Sequence, residues 1–306
     1  MEILYTIIPI FAVILIGWIA QKKGFFSQDF LVRANHLVFY LAIPALVFRS
    51  VTKIPVRSHF NMNVIVIVIV SFLTIVLIAW GFARLLSIKR AYQATFIQSS
   101  FHGNLGYIGF AVAFYYLGAE GLSRTTIVAG FVMILQNTVA IILLQTYSAD
   151  SNIKQTNRFD LVKKIGGNPV ILAVIIGVLY SLTGVSLPVV ISRSMDIIAS
   201  LALPMALLII GASLSFKVFQ THRNFILISS FLKLFLMPAL GFTLFRYWDF
   251  SAEECLPGLI VLASPTATVV YVLAKEFKGD PGLAVAAIST STLISAFSMS
   301  LWLISY

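Results

Sequence analysis

The stretch Gln98-Ser99-Ser100-Phe101-His102-Gly103-Asn104-Leu105-Gly106-Tyr107-Ile108-Gly109 sits in the middle of an otherwise apolar run, 92–117. The run is long enough to span a bilayer, which takes about 20 mostly apolar residues. Three glycines and five polar side chains interrupt it at mid-depth. In lipid every backbone N–H and C=O must be satisfied inside the protein. A poor helix former is tolerated there only if it is buried in protein or lines a wet cavity. Two readings follow. The glycines let neighbouring helices approach closely, or the helix is broken and its second half aims free N–H groups and a positive dipole end at an anion. The company of Gln98, Ser99, Ser100, His102 and Asn104 favours the broken helix.

The rest of the chain has the same solvent in view. Of its 306 residues 59% are hydrophobic and 10% charged, against about 25% charged in a soluble domain. Mean hydropathy is +0.99. Ten segments read as membrane spans: 3–21, 32–51, 63–84, 92–117, 124–147, 168–184, 197–216, 224–246, 255–274 and 282–304. The start Met1-Glu2, with no basic residue before the first run, predicts a retained helix rather than a cleaved signal peptide. The single cysteine, Cys255, offers no intrachain disulfide.

The net charge of +10 reflects topology rather than nucleic-acid binding, because the basic residues fall in short loops between apolar runs. With the N-terminus outside, fourteen Lys and Arg residues lie on the inner face and six on the outer, with Lys233 in mid-segment. By the positive-inside rule this predicts both termini outside a plasma or inner membrane.

The polar stretch 149–167 divides the chain into two halves, 1–148 and 168–306, of five segments each. It is read as a cytoplasmic linker. Five is odd, so the halves enter the membrane from opposite sides and form an inverted repeat. Leu41-Ala42-Ile43-Pro44-Ala45-Leu46 resembles Leu201-Ala202-Leu203-Pro204-Met205-Ala206-Leu207 at an offset of 160, and that offset carries Asn104-Leu105 onto Ser264-Pro265. The fold expected is an all-α membrane protein of ten transmembrane helices. Its two inverted five-helix repeats would cross broken helices four and nine, as in sodium/proton antiporters and bile-acid symporters.

Other residues join the candidate site. In Ala263-Ser264-Pro265-Thr266-Ala267-Thr268, Pro265 removes a donor and frees a carbonyl. Pro44 and Pro204 line the cavity or act as hinges, alongside Gly106 and Pro265 in the crossover. Gln136-Asn137 makes an interhelical hydrogen bond or faces substrate. Lys233, the one cation deep in a segment, neutralises a substrate carboxylate, fills a cation's place, or snorkels. No acidic residue lies deep in a segment, which weakens a carboxylate-built sodium or proton site. His102 is the proton-coupling candidate, or a plain hydrogen-bonding group. No phosphate loop, metal-ligand cluster or nucleophile motif is present, so neither an enzyme nor a cofactor is expected.

The chain resembles the auxin efflux carrier family, which includes plant auxin exporters and bacterial malate or malonate permeases. The resemblance rests on Leu41–Leu46 with Pro44, Gly103-Asn104-Leu105-Gly106, Gln136-Asn137, Asn168-Pro169, and 263–277 ending Leu273-Ala274-Lys275-Glu276-Phe277. It implies a scaffold and a transport subdomain, interleaved across both repeats, and transport of organic anions by an elevator-like movement. It also implies that Asn104 contacts the substrate carboxylate, with Gln136 and Asn168 at matching positions. The substrate site is thus expected at His102, Gly103, Asn104, Gln136, Asn168, Lys233, Ser264, Pro265 and Thr266. Phe110 stands after Gly109 where relatives often have proline, and the long inner loop of the plant carriers is lacking. The partners expected are a small organic anion, the bilayer and a second copy in a homodimer, and no nucleic acid. A sodium-coupled symporter of the bile-acid type and a non-transporting membrane sensor are the alternatives.

Overall fold

The computed structural model describes residues 2–53, 61–147 and 166–305. These are helical, and the one strand-like feature among them is an isolated antiparallel bridge between Gly103 and Thr266. The helices are α1 (Glu2–Lys22), α2 (Gln28–Thr52), α3 (Met62–Leu85), α4 (Arg90–Phe101), α5 (Leu105–Tyr147), α6 (Pro169–Leu182), α7 (Val189–Ser213), α8 (Gln220–Tyr247), α9 (Ala252–Ala263), α10 (Val269–Glu276) and α11 (Pro281–Ile304). Seven of them, α1, α2, α3, α5, α7, α8 and α11, are long and apolar enough to cross a membrane. The surface is apolar, with Ile8, Leu77, Leu179, Val190 and Phe297 exposed, whereas Gln98, Ser99, His102, Lys233, Thr266 and Ser291 are buried. That inversion suits a chain whose solvent is lipid.

Side-chain oxygens cap the helix starts. The Asn61 carbonyl oxygen accepts from the Asn63 and Val64 N–H groups. Asn168 does the same for Val170 and Ile171, with Pro169 at the first helical position, where no N–H is needed. Two π turns each sit just before a proline. Val38–Ala42 precedes Pro44 and Leu232–Leu236 precedes Pro238. A proline cannot supply the N–H its helix requires, and the wider turn absorbs the mismatch.

Two elements differ from the sequence reading. The segments 92–117 and 124–147 are not separated by a loop. Helix runs up to and away from a single residue, Gly118, whose φ of 70° and ψ of −165° only glycine adopts readily. The seventh helix begins at Val189 rather than 197, because Arg193 and Asp196 depress hydropathy over a stretch that is nonetheless helical. Asp196 is paired there with Arg49 through two 2.9 Å hydrogen bonds and with Lys53 at 3.2 Å. The segments 92–117 and 255–274 are interrupted where the sequence reading expected broken helices, at 102–104 and 264–268. The expected linker 149–167 lies almost wholly outside the described residues.

α1 packs along α7, and α2 packs on α6 and α7; α3, α4, α5, α8, α9 and α11 pack on one another, and α5 also packs on α1, α2 and α6. The α1–α7 contact is reciprocal. A Cβ on Gly17 would run into the Leu208 backbone, and one on Gly211 into the Ile14 backbone. Small residues of this kind let membrane helices touch backbone to backbone. Gly211→Val is therefore expected to lower the melting temperature in detergent by an amount corresponding to about 1–3 kcal/mol of overpacking. Gly81→Ala, at an exposed helical site with open space around it, should be neutral or slightly stabilising. Equal melting temperatures for the two variants would refute the backbone contact.

Candidate functional site

The two helix breaks lie against each other. The Asn104 N–H donates to the Pro265 carbonyl at 2.7 Å, and the Ala267 N–H to the His102 carbonyl at 2.9 Å. This two-residue ladder welds the α4–α5 break to the α9–α10 break. Side chains complete the accounting that a buried backbone demands. Gln136 on α5 accepts from the Gly103 N–H at 3.1 Å and donates to the Gly103 carbonyl at 3.3 Å. The Thr266 hydroxyl donates to the Ser99 carbonyl at 2.9 Å, and the Thr266 N–H to the Ser291 hydroxyl at 3.1 Å. The Lys233 ammonium donates to the Leu262 carbonyl at 2.7 Å. Gly109 is needed where α5 meets α9, since a Cβ there would lie 2.8 Å from the Ser264 Oγ.

On one side of this weld is a cavity of about 290 Å³. His102, Gly103, Asn104, Leu105, Gly106 and Tyr107 form its floor; Met133, Gln136 and Asn137 come from α5. Asn168 and Val170 of α6 and 267–269 with Val272 close it, and α2 supplies Asn35, His36, Phe39, Tyr40 and Ile43. The N-terminal ends of α5 and α10 both face in, through Gly106 and Tyr107 and through Thr268 and Val269. Each such end carries about half a positive charge. Among the described residues no Asp or Glu lines the cavity. The Asn104 side-chain amide nitrogen is buried and has no hydrogen-bond partner.

The residues singled out in the sequence thus divide. His102, Gly103, Asn104, Gly106, Gln136 and Asn168 line the cavity. Ser264, Pro265, Thr266 and Lys233 are on or behind the weld and do not line it. Pro44 adjoins the lining residue Ile43, and Pro204 lies in α7 away from the lining. Gln136 is spent on Gly103, and Asn168 on the α6 cap. The sequence reading missed Asn35, His36 and Thr268, and it quoted Tyr107 without giving it a role. The Tyr107 hydroxyl donates to Asn35 at 2.7 Å. The adjacent polar pair Asn35-His36 within an apolar helix was the available signal. A larger recess of about 470 Å³ lies between the start of α3, Arg124 and the start of α9. Its Arg124 is already paired with Glu120 and Glu253. Among the described residues no cluster of His, Cys, Asp and Glu could hold a metal.

A polar cavity at two opposed helix starts inside an apolar bundle is the architecture of a carrier, and comparison with known proteins agrees. The family model described as membrane transport protein matches residues 2–303. The chain belongs to this family. Membrane transport proteins similar to it include one of Rhizobium meliloti named putative malonate transporter, 26% identical over 98% of this chain and 94% of that protein. An uncharacterized transporter of Methanocaldococcus jannaschii is 23% identical over 97% and 96%. The uncharacterized transporter YfdV of Escherichia coli K12 is 23% identical over 97% and 95%. The resemblance to auxin efflux carriers drawn from the crossover residues thus holds along the whole chain. This member of the family is a multi-pass membrane transporter.

Gln136 gives a test of the weld. Gln136→Leu strands the buried Gly103 N–H at a cost of about 1–3 kcal/mol, while the Gly103 carbonyl keeps the Leu105 N–H. Gln136→Glu keeps the acceptor but loses the donor. Thermal unfolding in detergent should rank wild type above Gln136→Glu and Gln136→Glu above Gln136→Leu. A Gln136→Leu protein as stable as wild type would show that the clamp is dispensable.

Proposed function

We propose that this chain is a secondary carrier for a small organic anion, bound in the crossover cavity. The observation that carries the reading is the Asn104 amide. It is a buried donor with no acceptor among the described residues, set where the starts of α5 and α10 converge in a cavity that no described carboxylate lines. An unsatisfied buried donor costs about 1–3 kcal/mol, so the site is completed by an acceptor from outside the protein. Converging helix starts favour that acceptor as an anion. The name of the Rhizobium meliloti relative makes malonate the first anion to try.

The movement proposed is an elevator. α1, α2, α6 and α7 serve as the scaffold. α3 to α5 and α8 to α11 carry the welded breaks as one body. The packing groups and the cavity wall formed by α2 and α6 support this division. The underlying plan would be ten spans in two inverted repeats, with α4–α5 and α9–α10 as equivalent broken spans and both termini outside. The breaks at corresponding places in the two halves support it.

Uptake of radiolabelled malonate and monocarboxylates into proteoliposomes tests the proposal. Asn104→Ala should weaken transport about ten-fold or more, the value of one hydrogen bond to a charged group. An Asn104→Ala carrier indistinguishable from wild type would remove the anion from this site.

A further inference from the structure

The side of the weld away from the cavity raises a separate question. α4 and α9 both end there, and helix ends leave carbonyls without intrahelical partners. The Ser99, His102 and Ile260 carbonyls are taken by Thr266, Ala267 and Ser264. The Leu262 carbonyl is taken by Lys233. This lysine is fully buried. It enters from the π turn of α8, which packs against α4, α9 and α11. Its ammonium lies 3.5 Å from the Met237 sulfur, and a Cβ on Gly103 would sit 3.4 Å from it. Among the described residues no carboxylate pairs with it. A buried charge with no counter-ion is destabilising unless other dipoles stabilise it.

Here the dipoles are at hand. Two helix C-termini contribute about −0.5 charge each, and one ammonium offsets their sum. The helices that pack around this π turn also carry hydroxyls without a hydrogen-bond partner among the described residues. The hydroxyls of Ser99 on α4, Ser230 on α8, and Thr292 and Ser298 on α11 are buried without partners. Carbonyls and hydroxyls without carboxylates are the donor set of a weakly held monovalent cation. We infer that the Lys233 ammonium is the resident cation of the crossover, occupying the place a dissolved cation would otherwise take between the two helix C-termini. The binding of an anion on the opposite face, which rests on the function proposed above, then requires no sodium. Lys233 acts through the helix ends and is a positioning residue rather than a substrate ligand.

The test reads cation binding without transport. Purified full-length wild type, Lys233→Ala and Lys233→Met are melted in detergent in choline, sodium and methylammonium chloride at matched ionic strength. Wild type should melt at one temperature in all three salts. Lys233→Ala should melt several degrees lower in choline chloride and recover in methylammonium or sodium chloride. Lys233→Met, which fills the volume without charge, should be destabilised in every salt and rescued by none. Sodium stabilising wild type over choline would overturn the inference, as would a Lys233→Met protein as stable as wild type. A folded Lys233→Ala protein indifferent to cations would do the same. If the cation pattern holds while malonate shifts no melting temperature, the failure belongs to the anion site and not to Lys233.

Discussion

Everything near the centre of this protein follows from the rule that a backbone in lipid must satisfy its own polar groups. An unbroken helix meets that rule alone. This chain breaks two, at 102–104 and 264–268, and so must replace the lost bonds from elsewhere. It does so in three ways. The breaks pair with each other at Gly103 and Thr266. Gln136, Thr266 and Ser291 supply side-chain partners. Lys233 takes a carbonyl that no N–H reaches. Gln136 of α5, Lys233 of α8 and Ser291 of α11 are explained by the breaks they serve.

Much of this was legible in the sequence because polar groups inside an apolar run stand out. The stretch 98–109 signalled its break from composition, and the segment around Pro265 signalled its own through the proline and its offset of 160 from that stretch. What was not legible depends on partners distant in the chain. Gln136 reads equally as substrate ligand or as interhelical bond, and its hydrogen bonds to Gly103, 33 residues away, are not visible in the sequence. The start of α7 was hidden because Asp196 looks like a loop residue until Arg49 and Lys53 are placed against it. Gly118 looked like part of a loop, since no local rule distinguishes a glycine that ends a helix from one that turns it between two helices. The π turns were not anticipated at either Pro44 or Pro238, because proline predicts a fault in a helix without predicting its form.

The two faces of the crossover are electrically opposed. Two helix starts face the cavity and two helix ends face the buried lysine. By dipole arithmetic the first face carries about +1 and the second about −1. Lys233 compensates the second. The first is left open toward the cavity, where the side chains offer amides, hydroxyls and imidazoles but no carboxylate. Charge balance therefore points the same way as the unpartnered Asn104 amide. These are separate observations, one electrostatic and one of hydrogen bonding, and neither depends on the family comparison.

The hydrogen bonds also limit how the protein can move. The welded breaks are tied to α5, α8 and α11 by the bonds of Gln136, Lys233 and Ser291, so separating them would strand several buried groups at once. The cavity wall from α2 and α6 is different. It meets the floor largely through apolar side chains such as Phe39, Ile43 and Val170, with Tyr107 to Asn35 as a hydrogen bond across the boundary. Apolar contacts slide at little cost in a bilayer, where lipid tails solvate them as well as protein does. α1 and α7, locked by Gly17 and Gly211, are not such a boundary. The elevator proposed above, sliding the floor against the α2–α6 wall, would leave the crossover and its buried hydrogen bonds intact.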